Sequence, residues 1–317
     1  MILVMGKYAF GIDVGGTSVK LGLFTVEGEL VEKWSIPTRS DNGGKDILPD
    51  IAKSVLKKKE EKNLSDEDVV GAGIGLPGPV DSDGVIRKAV NLHWENTFNV
   101  AEELSKLLNG MKVKAGNDAN VAALGEAWVG SGKGCKDVVM VTLGTGVGGG
   151  IIVDGNMLSG ATGAGGEIGH ICVEPSETAA CNCGNHGCLE QFSSATGIVR
   201  LLEKEIAANP NEQTLMNEKK HTAKDVWDAV EAGDALAKRV AEQFGYYLGF
   251  GLANIASVVN PELIIIGGGV SMSGDVIMPF ITENFKKFAF HACKDTKFVR
   301  AVLGNDGGIF GAAKLVL

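Results

Sequence analysis

Three cysteines, Cys181, Cys183 and Cys188, lie within one eight-residue run. Thiolates this close in a chain are the usual ligands of a structural zinc ion, and the intervening glycines permit the tight turn that tetrahedral coordination requires. The spacing therefore predicts a zinc site. A fourth ligand is needed, and His186 is one candidate, although its place inside the turn makes it a poor fourth vertex. Four protein ligands would make the zinc structural rather than catalytic.

An Asn-Asp pair, Asn117 and Asp118, follows a short strand predicted at 113–115 and precedes a helix predicted to begin near Ala119. Strand ends are where α/β sheets bind ligands, and a carboxylate at such a place can accept a proton from an attacking hydroxyl. Asp118 is therefore the candidate general base. The local sequence is equally compatible with Asp118 acting only as the N-cap of the helix.

A glycine-rich segment at Gly15 and Gly16 separates two predicted strands. Its backbone amides can approach an anion, and Thr17 and Lys20 can add a hydroxyl and a positive charge. Asp13 can orient Mg²⁺, because hard cations prefer carboxylate oxygen. The alternative is a glycine-rich hairpin bend in which the aspartate bonds only to its own backbone.

A second glycine-rich segment, at 144–149, has the letters of a dinucleotide fingerprint. That fingerprint must open a helix, whereas these glycines lead into an apolar strand at 151–153, so we exclude a nicotinamide-dependent enzyme. The segment also lacks the Gly-Lys-Ser/Thr ending of a Walker loop. Phosphate binding here would need two strand bends, one from each glycine segment.

The two segments belong to a repeated plan of strand, glycine bend, strand, turn and strand, first at 8–35 and again at 137–158. Strands and helices alternate over the rest of the chain, which predicts an α/β fold. A buried strand at 263–266 leads into Gly267, Gly268 and Gly269. Helix caps are predicted at Asn99, Thr196, Thr222 and Asp234.

Composition excludes several classes of function. The 317 residues are 44% hydrophobic, which allows the two lobes expected at this length. The net charge of −9 offers no basic surface to nucleic acid or anionic lipid. The apolar start is too short for a signal peptide, and no stretch reaches the roughly 20 residues of a membrane span. We therefore expect a cytoplasmic protein that binds neither nucleic acid nor membranes.

Taken together, these motifs resemble the ROK family of sugar kinases and repressors over nearly the whole chain. The resemblance implies an actin-like, hexokinase-like ATPase fold, whose two lobes flank a cleft. We expect an N-terminal lobe at 1–120, joined by a C-terminal helix at 305–317, and a larger lobe at 121–304. The implied reaction is transfer of phosphate from ATP, with Mg²⁺, to the 6-hydroxyl of glucose, with Asp118 as base. A homodimer or higher homo-oligomer is a further expectation from the family.

The resemblance also assigns site residues. The nucleotide would be held by Asp13, Gly15, Gly16, Thr17, Lys20, Gly144, Thr145, Gly146, Gly267, Gly268 and Gly269. The sugar would be held by Gly78, Asn91, Asn117, Asp118, Glu167, His170 and Glu190. His170 lies in a Glu-Ile-Gly-His run and is the implied fourth zinc ligand, with its other ring nitrogen turned to a sugar hydroxyl.

Two alternatives remain open at this point. One is another hexose or N-acetylmannosamine kinase, although Asn91, Trp94 and Glu190 favour glucose; polyphosphate is an open alternative to ATP. The other is a sugar-sensing repressor, which would need a DNA-binding helix-turn-helix before the first strand. That strand is expected to begin near Tyr8, and the chain is acidic, so we expect no such module.

Overall fold

A computed structural model describes residues 7–217 and 220–317. It divides into two compact units, of which the first contains the described residues up to Lys136, Gly150–Gly166 and Val302–Leu317. The second contains Asp137–Gly149 and Glu167–Ala301, apart from the two residues that are not described. None of the helices in the described ranges combines the length and apolarity that a membrane span requires.

The strands are short and follow the predicted alternation with helices. In chain order they are β1 (Tyr8–Val14), β2 (Ser18–Thr25), β3 (Leu30–Pro37), β4 (Val69–Leu76), β5 (Val85–Ile86), β6 (Phe98–Asn99), β7 (Val113–Asn117), β8 (Val138–Leu143), β9 (Val147–Val153), β10 (Asn156–Met157), β11 (Leu263–Gly267) and β12 (Lys297–Arg300). The predicted α/β class is confirmed.

The helices of the described residues are given in chain order. They are α1 (Ile47–Glu61), α2 (Val100–Leu107), α3 (Asp118–Val129), α4 (Glu190–Ser193), α5 (Ala195–Ala208), α6 (Ala223–Glu231), α7 (Ala235–Val259), α8 (Ile277–Phe288) and α9 (Gly307–Val316). The predicted caps at Asn99, Thr222 and Asp234 are confirmed. The predicted cap at Thr196 is wrong, because Ser194 accepts the Gly197 amide at the start of α5.

The predicted duplication is present and extends further than the three strands that the sequence suggested. One sheet has the order β3-β2-β1-β4-β7 and the other has the order β10-β9-β8-β11-β12. β1 pairs with β2 antiparallel and with β4 parallel, and β8 pairs with β11 parallel. Each glycine bend therefore joins the strand at the centre of its sheet to that strand's neighbour.

The first unit is built around its sheet, with α9 packed directly on the strands. Phe10, Ile12 and Ile74 are fully buried within it. A side chain at Gly73 would collide with the carbonyl of Ala312 on α9, so the glycine is what lets that helix approach. The C-terminal helix thus belongs to the first unit.

The division between the units differs from the one expected from the sequence, which was at residue 120. All of α3 lies in the first unit, because its backbone touches that of α9: a side chain at Gly311 would overlap the carbonyl of Val121. The segment Gly150–Gly166 also returns to the first unit. Sequence pattern does not show these returns, since they depend on which helices pack together.

Candidate active site

The candidate base lies at the junction of β7 and α3. Asn117, not Asp118, is the N-cap of α3, because its side-chain oxygen accepts the amides of Ala119 (3.0 Å) and Asn120 (3.1 Å). The alternative in which Asp118 merely caps the helix is therefore wrong. Asp118 occupies the first turn and is half-buried, and its Oδ1 accepts the Ala119 amide at 2.8 Å.

Other residues assigned to the sugar lie in the same unit as Asp118. The amide nitrogen of Asn117 donates to the carbonyl of Gly78 at 3.2 Å, so the structure brings these two together. Asn91 is exposed on a 3₁₀ turn at Val90–Leu92. Sequence reasoning missed Asn120, which is buried and donates to Gly165 at 2.8 Å. The sequence does contain a signal for Asn120, because it is a polar residue on a largely apolar helix.

The first glycine bend lies between β1 and β2 and is held within its own unit. The hydroxyl of Thr38 donates to the carbonyl of Gly15 at 2.7 Å. Lys20 Nζ lies 4.0 Å from Asp13 Oδ2 and donates to the carbonyl of Asn305 at 2.7 Å. Gly16 and Thr17 are exposed, and a side chain at Gly16 would meet nothing within 4 Å. The bend therefore presents its backbone to solvent.

Asp13 is a carboxylate in an unfavourable environment. Burial raises its pKa above the ordinary value of 3.8; Lys20 lowers it and Asp306 raises it further. Gly308, at the start of α9, packs against this carboxylate, and a side chain there would displace it. Asp306 was missed by sequence reasoning, because only the fold of α9 brings it near Asp13. A cation at this point would offset the cost of the buried charge.

The second glycine bend lies between β8 and β9. Gly144 donates its amide to the carbonyl of Gly146 at 2.9 Å. The bend is also bonded to the start of α5: the Ala195 amide donates to Gly144 (2.8 Å) and the Thr196 hydroxyl to Thr145 (2.9 Å). Glu190 Oε2 accepts the Val147 amide at 3.0 Å.

A pocket of about 450 Å³ opens beside this bend in the second unit. It brings together three residues assigned to the nucleotide, Gly144, Thr145 and Gly269. Gly267 ends β11, and Gly268, at φ +82°, turns the chain against Leu143. The remaining lining residues were missed by sequence reasoning: Ala195, Thr222, Ala223, Lys224, Val270, Met272 and Ser273.

The predicted metal ligands form one cluster. The ligand atoms of His170, Cys181, Cys183 and Cys188 all lie within 4.8 Å of one another. Cys183 Sγ is 3.6 Å from Cys188 Sγ, and Cys181 Sγ is 3.9 Å from His170 Nδ1. A tetrahedral ion about 2.3 Å from each sulfur would separate the sulfurs by about 3.8 Å. The donor set therefore fits a tetrahedral zinc ion.

The chemistry of the donors points the same way. Burial raises the pKa of Cys181, and it raises that of Cys188 to about 12. A bound cation would stabilise the thiolate forms of these two buried cysteines. The rival ligand His186 is exposed and is not a member of the cluster.

His170 connects the cluster to the residues assigned to the sugar. Its Nδ1 faces Cys181, and its Nε2 lies 4.0 Å from Glu167 Oε2. A metal-bound histidine commonly has a carboxylate near its other nitrogen, which fixes the ring orientation. The arrangement leaves Nε2 and Glu167 on the side of the ring away from the cysteines.

Known proteins resemble this chain over nearly its whole length. A glucokinase from Halalkalibacterium halodurans is 44% identical over 315 residues, which cover 98% of this chain and 95% of the relative. The structure of a ROK hexokinase from Thermus thermophilus matches with a TM-score of 0.81 at 30% identity, covering 96% of each chain.

A ROK family glucokinase from Streptomyces griseus, solved with glucose and AMPPNP, matches with a TM-score of 0.73 at 31% identity, covering 97% of this chain and 98% of that one. The predicted hexokinase-like ATPase fold is thereby confirmed. The sequence profile of the ROK family matches residues 9–317. The chain therefore belongs to the ROK family, as its motifs predicted.

Proposed function

We propose that the protein is a glucokinase, which transfers the γ-phosphoryl group of ATP to the 6-hydroxyl of glucose. The observation that carries the proposal is the 44% identity to a glucokinase across almost the entire chain. The S. griseus glucokinase with its bound glucose and ATP analogue supports both substrates. Asp118 supplies a carboxylate and each glycine bend supplies backbone amides, which are groups that this reaction needs.

In the proposed mechanism Asp118 is the general base. Phosphoryl transfer depends mainly on positioning and charge stabilisation, and a carboxylate accepts the proton of the attacking hydroxyl. Asp118 lies in the first turn of α3, and its Oδ1 accepts the Ala119 amide at 2.8 Å. Asn117 takes over the capping bonds, and its amide reaches Gly78. The cap thereby fixes the backbone that carries the Asp118 side chain.

The nucleotide is proposed to lie against the glycine bends. Backbone amides and Lys20 would contact the phosphates, and the pocket beside Gly144 and Gly269 would take the adenosine. Asp13 would hold Mg²⁺, which supplies charge neutralisation of the phosphates when bound. The ion's proposed place at Asp13 fits the raised pKa of that carboxylate.

The sugar is proposed to contact Gly78, Asn91, Asn117, Glu167, His170 and Glu190, besides the base. Buried polar groups reject a wrong epimer, because it leaves donors and acceptors unpaired. Zinc, held by His170 and the three cysteines, would have a structural role and would fix the orientation of His170. It would not take part in the transfer itself.

The test of this proposal is the Asp118→Asn enzyme. We expect kcat with glucose and ATP to fall by roughly 10² to 10⁴, the usual contribution of a general base, while glucose still binds. Asp50→Asn is the matched control, since Asp50 is also an acid in the first turn of a helix in the same unit. Near-normal turnover by Asp118→Asn would exclude Asp118 as the base.

A coupled assay over a panel of sugars and donors tests the substrates. Glucose with ATP should give the highest kcat/KM, ahead of mannose, N-acetylmannosamine and N-acetylglucosamine, and ahead of polyphosphate as donor. A preference for an acetylated amino sugar would overturn the glucose assignment and would leave the kinase assignment intact.

A further inference from the structure

Glu190 lies between two parts of the second unit that have separate proposed tasks. It begins α4, two residues after the metal ligand Cys188. Its Oε2 accepts the amide of Val147, at the end of the second glycine bend, at 3.0 Å. Its Oε1 lies 3.8 Å from the sulfur of Cys181. One carboxylate therefore contacts both the bend and the metal cluster.

Gly146 shows how closely this carboxylate fits the bend. A Cβ built on Gly146 would overlap Oε2 of Glu190, and the three atoms nearest to it all belong to the Glu190 carboxylate. The φ of Gly146 is not in the left-handed region, so backbone conformation does not require glycine there. A side chain at this position would have to displace the Glu190 carboxylate from its place against the bend.

The residues that follow Glu190 add two more bonds to the same bend. The Ala195 amide donates to Gly144 at 2.8 Å, and the Thr196 hydroxyl donates to Thr145 at 2.9 Å. Ser194, which is fully buried, caps α5 and fixes this turn. We call Glu190, Ala195 and Thr196 the brace, because they are bonded to the residues in and directly after the bend, Val147, Gly144 and Thr145 respectively.

We propose that Glu190 is a positioning residue for the phosphate donor, in addition to the sugar contact assigned to it. Its carboxylate holds the second glycine bend in the shape that binds the nucleotide phosphates, and the chain connects it to the metal ligand Cys188 two residues earlier. The inference rests on the proposed function. It predicts that removal of the Glu190 side chain weakens nucleotide binding even when no sugar is present.

The first experiment measures AMPPNP binding by calorimetry, without sugar, on protein of verified zinc content. Glu190→Ala should raise Kd by about 10-fold or more, since a hydrogen bond to a charged group is lost from the bend. Glu190→Gln should bind within about threefold of the parent, because its amide oxygen can still accept the Val147 amide. An unchanged Kd in Glu190→Ala, with zinc retained, would overturn the inference.

The second experiment is a double-mutant cycle with Gly146→Ala. In the parent this change should weaken AMPPNP binding by about 10-fold or more, because the new methyl group displaces Glu190. In the Glu190→Ala background the same change should have little further effect, since the space is then empty. Additive losses would contradict the proposed fit between Gly146 and Glu190.

Gln191→Leu is the matched control on the same helix. The side chain of Gln191 is bonded to Cys188 and Ala179, on the side of the metal cluster, and not to the glycine bend. It should leave AMPPNP affinity unchanged. If the parent itself binds no AMPPNP, the proposed function fails; if the parent binds and only glucose affinity falls in Glu190→Ala, the inference alone fails.

Discussion

The two glycine bends occupy the same place in two sheets of the same strand order, yet they are supported differently. The bend after β1 has charged residues in its own strands, Asp13 and Lys20. The bend after β8 has none, since no charged residue occurs between Val138 and Val153. Its carboxylate, Glu190, comes from the segment that follows the metal cluster.

The difference shows which features the duplication retained and which diverged. Strand order and the glycine bend are common to both copies, because a hairpin bend depends on local backbone conformation. The supporting contacts differ: Thr38, the residue directly after β3, bonds the first bend, whereas the brace bonds the second. The second bend should therefore depend on the metal cluster, and the first should not.

Removal of the metal should show the difference in support between the two bends most clearly. Structural zinc contributes on the order of 10 kcal/mol to folding in small zinc domains, so a chelated protein should lose order around the knuckle. We expect amide exchange to accelerate at Val147 and Ala195 and to stay unchanged at Gly15 and Val19. Hydrogen exchange with mass spectrometry measures both. Equal acceleration at the two bends would show that their supports are not independent.

The Asp13→Asn variant tests the support of the first bend by its own charged residues. Because burial raises the pKa of Asp13, its ionised form is disfavoured in the folded state, and this cost is present at neutral pH. It disappears as the pH falls below the ordinary value of 3.8, where the folded and unfolded states are both protonated. The variant should therefore be more stable than the parent at pH 7 by roughly 0.5–2 kcal/mol, and equally stable at low pH.

Denaturant unfolding without nucleotide, at several pH values, checks this prediction. Activity should fall in the same variant, because Asp13 is the proposed Mg²⁺ contact. A loss of stability at pH 7 would mean that Asp13 is structural. Lys33→Met is a suitable control, since it removes the ion pair with the neighbouring Asp306 and keeps Asp13.

A matched pair of threonine variants gives the smallest expected effect. Thr38 donates to Gly15 at 2.7 Å and Thr196 donates to Thr145 at 2.9 Å, so each hydroxyl fixes one carbonyl of its bend. Thr38→Val and Thr196→Val should each weaken AMPPNP binding by roughly 0.5–1.5 kcal/mol, the net value of one hydrogen bond. Calorimetry measures both. A loss confined to one variant would show that only that bend contacts the nucleotide.

The sequence alone determined the features that depend on neighbouring residues. The α/β class, the paired glycine bends, the caps at Asn99 and Thr222 and the three-cysteine knuckle follow from propensity, turn chemistry and ligand spacing. The family likeness supplied His170 as the fourth ligand, and the geometry of the cluster agrees with it.

Tertiary structure decided whatever joins residues far apart in the chain. Asn117 rather than Asp118 caps α3, and Ser194 rather than Thr196 caps α5, because each choice depends on where a side chain can reach in the folded protein. Glu190 meets Val147 across 43 residues, and no local pattern encodes that contact. Hydrogen bonds of this kind form only after the sheets and helices have packed, so a sequence shows the donors and acceptors but not their partners.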